Sequence, residues 1–272
     1  MTAADVQGPA AIQAAFDRAA AQDRAALVIY LTATYPDPAT SHACMEAAVD
    51  AGADILEVGI PFSDPMMGGP TIQAANQHVL DAGRTVSDQL GFVADLRHLD
   101  VPTLAMTYVT IADTRGYARF ADECADAGLS GVILPDLPAP EAGPWVAEAR
   151  RRGLATVFLA SSVSTDERLA AIAQVSTGWV YAAGLLGVTG VQSVAGEVTA
   201  ELVTRIRAHT DLPIAVGIGV KDRDSAAEVA RFADGVIVGS AVIRAAGDGD
   251  PDGAPDRVHA LVGELRAGVA GR

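Results

Sequence analysis

The sequence is poor in lysine, cysteine, aromatic residues and positive charge. Its 272 residues include one lysine, Lys221, and two cysteines, Cys44 and Cys124, with 5% Phe, Trp and Tyr. Lys and Arg together number 19 against 34 Asp and Glu, a formal net charge of −15. Nucleic-acid binding needs clustered Lys and Arg to meet phosphates. The one dense basic run, Arg150-Arg151-Arg152, falls at a helix-like end, where cations offset the macrodipole. Two cysteines in helix-like stretches build neither a disulfide framework nor a Cys-based zinc site. No apolar run reaches about 18 residues, so no membrane span is expected. The start, MTAADVQGPAAIQ, has neither a basic n-region nor an apolar h-region. No signal peptide is expected, and the cytoplasm is the expected compartment. His42, His78, His98, His209 and His259 are scattered without metal-ligand spacing, so no metal site is expected. Schiff-base chemistry would have to run through Lys221, and a position just beyond the seventh strand argues against it.

What is present is alternation. Apolar runs of strand length occupy Ala26–Thr32, Asp54–Gly59, Thr103–Tyr108, Gly131–Pro135, Thr156–Leu159, Trp179–Ala182, Ile214–Gly217 and Gly235–Val238. Helical periodicity lies between them at Thr40–Ala51, Val86–Leu99, Tyr117–Ala127, Ala142–Arg152, Asp166–Gln174, Thr199–His209 and Ser225–Phe232. Ala10–Ala21 precedes the first strand, and Pro255–Leu265 closes the chain. Strand–helix alternation implies parallel βαβ units. Eight of them in this length predict one α/β domain over residues 1–272, a (β/α)8 TIM barrel with an extra N-terminal helix within residues 1–24. An acidic turn at 247–253 precedes the last helix. A doubly wound open sheet is the alternative.

Barrel chemistry sits at the carboxyl ends of the strands. Glu57 stands out there, a carboxylate inside the apolar run Ile55-Leu56-Glu57-Val58-Gly59. It shares a face with Ile55 and Gly59, and both faces of a barrel strand are covered. A buried carboxylate tends to a raised pKa and suits general acid–base work. The following stretch, Pro61 to Gln73, reads as a loop whose two Gly and three Pro fix its path. Within it Asp64 suits either a turn cap or a partner contact. Gly217-Ile218-Gly219 after strand seven, and Gly239-Ser240 opening a helix after strand eight, predict an anion grip of the kind this fold uses for phosphate. The Gly-rich segment from Tyr181 to Gly196 is long for a βα loop and suits a lid.

The run Leu56-Glu57-Val58-Gly59-Ile60-Pro61-Phe62-Ser63-Asp64-Pro65, followed by Gly69-Pro70-Thr71-Ile72-Gln73, resembles the signature of the tryptophan synthase α subunit family. Gly187-Val188-Thr189-Gly190 resembles that family's loop after strand six, and Pro135-Asp136-Leu137-Pro138 and the late glycines also match. The resemblance spans about Pro9 to Gly268. It implies a carbon–carbon lyase that cleaves indole-3-glycerol phosphate to indole and glyceraldehyde 3-phosphate with no cofactor or metal. It also implies a β-subunit partner that uses pyridoxal phosphate. By resemblance Glu57 and Tyr181 are catalytic, and Tyr30 and Thr189 contact substrate. Gly190, Ile218, Gly219, Gly239 and Ser240 hold the phosphate, and Asp64 and Asp136 face the partner.

The pattern is broken at one chemically important place. Gly68 stands where the family carries its second catalytic Asp, which bonds the indole nitrogen. Thr34 replaces a Gly after strand one, Thr110 replaces an Asn, and Leu185 and Leu186 are more apolar than usual. The missing Asp leaves three readings: an impaired, rearranged or engineered lyase; a barrel aldolase redirected to another phosphorylated substrate; or a non-catalytic phosphate-binding regulator of a β subunit.

Overall fold

The computed structural model describes residues 7–184, 192–217 and 219–271, the side chains of 192–195 excepted. Helix α1 (Pro9–Ala20) precedes β1 (Ala26–Thr32), α2 (Pro38–Asp50), β2 (Ile55–Gly59), α3 (Pro70–Asp81) and α4 (Val86–Asp95). Then come β3 (Thr103–Met106), α5 (Val109–Arg115), α6 (Tyr117–Asp126), β4 (Gly131–Ile133), α7 (Gly143–Arg151), β5 (Ala155–Ser161) and α8 (Asp166–Val175). The chain ends with β6 (Val180–Ala183), α9 (Gln192–Arg207), β7 (Ile214–Gly217), α10 (Arg223–Ala230), β8 (Gly235–Val238), α11 (Ser240–Gly247) and α12 (Ala254–Gly268). The strands pair in chain order, all parallel, and β8 pairs back onto β1, so the sheet closes and the open-sheet alternative falls.

Local chemistry explains the elements. β1 is Ala-Leu-Val-Ile-Tyr-Leu-Thr with every residue buried, the continuous apolar run that two covered faces demand. α2 starts where Asp37 accepts the backbone N–H groups of Ala39 and Thr40, both at 3.0 Å, and Pro38 opens the first turn. Thr85 with Asp88 and Asp222 with Ser225 form reciprocal caps for α4 and α10. α6 and α7 stop at Gly128 and Gly153, whose φ angles of 87° and 69° turn the chain toward the next strand.

Strand alternation sends every second side chain into the barrel. Ile55, Leu104, Ile133, Val157, Ala215 and Ile237 form an inner cluster with Ile12, Ala15, Phe16 and Ala19 of α1. The Phe16 ring lies 6.0 Å from that of Trp179. The N-terminal helix therefore closes the amino end of the barrel. Arg24 and Asp54 pair beside it, at 5% and 10% side-chain exposure, and Asp54 also accepts the Leu27 N–H at 2.8 Å. The outer core lies between the strands and the surrounding helices, where Cys44, Met45 and Ala48 of α2 meet Val258, Val262 and Leu265 of α12.

Three details differ from expectation. α3 overlaps the stretch whose sequence predicts a loop, because Gly69 and Pro70, loop-like in sequence, serve as its N-cap and first residue. α5 has seven residues, too few to show a period. α9 begins at Gln192 rather than Thr199 and runs through Gly196. Among the described residues no helix is long and apolar enough to cross a membrane.

Candidate active site

The carboxyl ends of the strands surround a cavity of about 350 Å³. Glu57 lies in its wall, 1% exposed, in register with Tyr30 on β1 and Leu104 on β3. Its Oε2 is buried and has no hydrogen-bond partner. Burial pushes the carboxyl up to about 8, so the group stands largely as the neutral acid at neutral pH. An unpartnered polar atom deep in an apolar wall is costly to keep. Its persistence facing a cavity marks a position adapted to a ligand.

Two tyrosines frame it. A Cβ on Gly59 would overlap the Tyr30 hydroxyl, and one on Gly217 would overlap that of Tyr181. Each ring thus lies across a strand residue that must lack a side chain. Burial, reinforced by the nearby Glu57 carboxyl, raises both phenols, so they stay protonated donors. The Tyr30 hydroxyl lies 3.4 Å from Thr32 Oγ1, which donates to Asn76 Oδ1 at 3.3 Å. Asn76 reaches the cavity from α3, which is why the sequence reading missed it.

Gly219, with φ 80°, and Gly239 with Ser240 at the start of α11 line the same cavity. Lys221 and Arg244, two cations, line it as well. Neither was among the expected site residues. Thr189, Gly190 and Ile218, expected to contact substrate or phosphate, lie outside the described residues.

The segment after β2 forms the remaining wall, with Pro65, Met67, Gly68 and Ile72 lining the cavity. The Tyr108 hydroxyl accepts the Met67 N–H at 2.9 Å, and its ring stacks on Phe62 at 4.9 Å. Glu57 is the only acidic side chain on the cavity wall among the described residues. Gly68 is buried, and a Cβ there would come within 2.9 Å of Ile72 Cγ2. Asp64 is exposed and accepts the Ser63 hydroxyl at 2.6 Å. Asp136 is half-buried and accepts the Val109 N–H at 2.8 Å, anchoring the start of α5. Thr34 keeps a left-handed φ of 61°, held by a hydrogen bond from Gln89 at 3.1 Å. The turn that suits glycine thus survives with a β-branched residue.

The family model for the tryptophan synthase alpha chain matches residues 16–269. The tryptophan synthase alpha chain of Streptomyces avermitilis is 46% identical over 255 residues, covering 93% of this chain and 92% of that relative. The one from Mycobacterium tuberculosis is 44% identical over 254 residues, covering 93% and 92%. Among solved structures, an aminoacrylate-bound tryptophan synthase from M. tuberculosis superposes with a TM-score of 0.86 at 42% identity, covering 95% of this chain and 99% of that one. The alpha subunit from Legionella pneumophila gives 0.85 at 32% identity, covering 95% and 98%. Barrel, buried carboxyl and whole-length similarity agree, and the chain belongs to the tryptophan synthase alpha chain family.

Proposed function

We propose that this chain is a carbon–carbon lyase that cleaves indole-3-glycerol phosphate to indole and glyceraldehyde 3-phosphate beside a tryptophan synthase β subunit. The observation that carries this reading is Glu57, an unpartnered buried acid facing the cavity that also holds the glycine and cation cluster. In this reading the Glu57 carboxyl gives its proton to C3 of the indole ring. The ring becomes an electron-poor iminium. The carboxylate so formed takes the proton of the glycerol hydroxyl next to the scissile bond. The C–C bond breaks, its electron pair returns to the ring, and the hydroxyl carbon leaves as the aldehyde. One proton enters at carbon and one leaves from oxygen, so Glu57 ends as it began. Tyr181 and Tyr30, kept protonated, orient the substrate from either side. Gly219, Gly239, Ser240, Lys221 and Arg244 seat the phosphate, and the family resemblance adds phosphate contacts for Gly190 and Ile218 and a substrate contact for Thr189. Asp64 faces the β subunit, with Asp136 holding the adjoining loop. The two free, buried cysteines favour the reducing cytoplasm as the compartment.

The iminium nitrogen carries positive charge, and Gly68 offers it no carboxylate. A missing acid–base partner costs on the order of 10²–10⁴ in rate, so the lyase is slow. The redirected-aldolase and regulator readings have no observation of their own in their favour. The test is indole release from indole-3-glycerol phosphate, with and without a β subunit, for the chain and for Gly68→Asp. Because Ile72 crowds position 68, Gly68→Asp/Ile72→Ala is assayed beside it. We expect slow release from the parent and a gain of about 10² or more from the restored carboxylate. No release from any of the three, with substrate bound, overturns the reading.

A further inference from the structure

Outside the catalytic cavity, the fold brings together three side chains that the sequence separates. His42 and Glu46 are one helical turn apart on α2 and share a face. His98, in the short helical turn Leu96–His98 after α4, reaches the same place from 52 residues beyond Glu46. None of the three lines the cavity. Glu46 Oε1 lies 3.0 Å from His98 Nε2 and 3.7 Å from His42 Nδ1. The three ligand atoms all fall within 4.8 Å of one another.

We propose that His42, Glu46 and His98 form a zinc(II) site that clips α2 to the turn before β3. Four-coordinate zinc with bonds of about 2.0–2.1 Å holds its ligand atoms about 3.3 Å apart. The two carboxylate–imidazole separations bracket that value, and the two imidazole nitrogens lie within 4.8 Å of each other, so side-chain rotations that draw the rings together close the set. Two imidazoles and a carboxylate are ligands that suit zinc, and the exposed side leaves a fourth position for water.

The surroundings hold the rings for this purpose. His98 Nδ1 lies 2.8 Å from the Asp95 carbonyl oxygen. Donating there fixes the tautomer that leaves Nε2 as a lone-pair ligand, as outer hydrogen bonds do for metal-binding histidines. That same Nε2 faces the Glu46 carboxylate. A neutral imidazole has one proton and here meets two oxygen acceptors, a deficit that a second ring proton or a metal cation between His98 and Glu46 would each fill. The His42 and His98 rings stack at 5.4 Å and 17°, and Phe92 packs edge-on against His42 at 6.2 Å and 90°. A ligated metal lies in the plane of each imidazole, so the stacked rings swing out of parallel when they share an ion.

The test is titration of chelator-stripped protein with zinc chloride by calorimetry, repeated for His42→Gln, Glu46→Gln, His98→Gln and the double variant His42→Gln/His98→Gln. Cobalt(II) substitution serves as a spectroscopic check. We expect one zinc per chain at micromolar or tighter affinity, and a weakening on the order of tenfold or more in each single variant. We also expect visible absorption typical of four-coordinate cobalt, and a zinc-dependent rise in melting temperature in the parent that the double variant lacks. Indole release by each variant reports that the barrel is intact, since none of these residues touches the cavity. Binding that needs millimolar zinc, or that is unchanged in the double variant, overturns the proposal.

Discussion

The two ends of this barrel are built from the same eight strands and do opposite things. At the amino end, α1 presses Ile12, Ala15, Phe16 and Ala19 into the inner cluster, and the Arg24–Asp54 pair is closed by further hydrogen bonds. At the carboxyl end Gly59, Gly217 and Gly239 make room for the Tyr30 and Tyr181 rings, and an acid is left without a partner. One end spends apolar surface on stability. The other keeps a cavity and a destabilising carboxyl. Stability and chemistry are separated along the barrel axis, as the general division of this fold leads one to expect.

That separation can be broken first at the carboxyl end. Glu57→Gln keeps the shape and removes the titratable proton, so indole release falls by on the order of 10²–10⁴ while thermal stability holds or rises. A kinetic assay beside a melting curve separates the two effects, and equal loss of both would erase the contrast. At the amino end, Phe16→Ala removes the ring packed on Trp179 and costs about 3–5 kcal/mol of stability in denaturant melts. Turnover per folded molecule stays at the parent level, because the cavity is at the other end.

A smaller effect sharpens the comparison through pH. The Glu57 carboxyl stands near 8 when folded and near about 4.3 in the unfolded chain. Between those values the folded state holds a proton that the unfolded state has released. The stabilisation from the neutral acid is full below the unfolded value and is lost as pH rises toward 8. The slope is on the order of 1 kcal/mol per pH unit, and Glu57→Gln flattens it. Stability that rises with pH from 5 to 8 in the parent relative to this variant would contradict the assignment.

Much of the barrel was readable in advance for a plain physical reason. β1, β7 and β8 fall on the residues of their apolar runs, because parallel strands covered on both faces leave no polar position to blur the ends. Glu57 was readable because a charge in such a run has no bland place to go. α3 and α5 were not: one begins on Gly-Pro, the other is too short for a period. Asn76 went with α3. Glu46 lies four residues after His42, a legible spacing, yet the third member of that cluster is supplied by tertiary folding 52 residues later. Lys221 and Arg244 carry no pattern of their own and gain meaning only from the cavity rim.

Lys221 has a practical consequence. It is the only lysine, it is exposed, and it stands at the mouth of the cavity. An amine-directed dye therefore addresses one side chain in the whole molecule, the α-amino group aside. It would install a fluorescent reporter at the rim through which substrate passes, with no engineered attachment point.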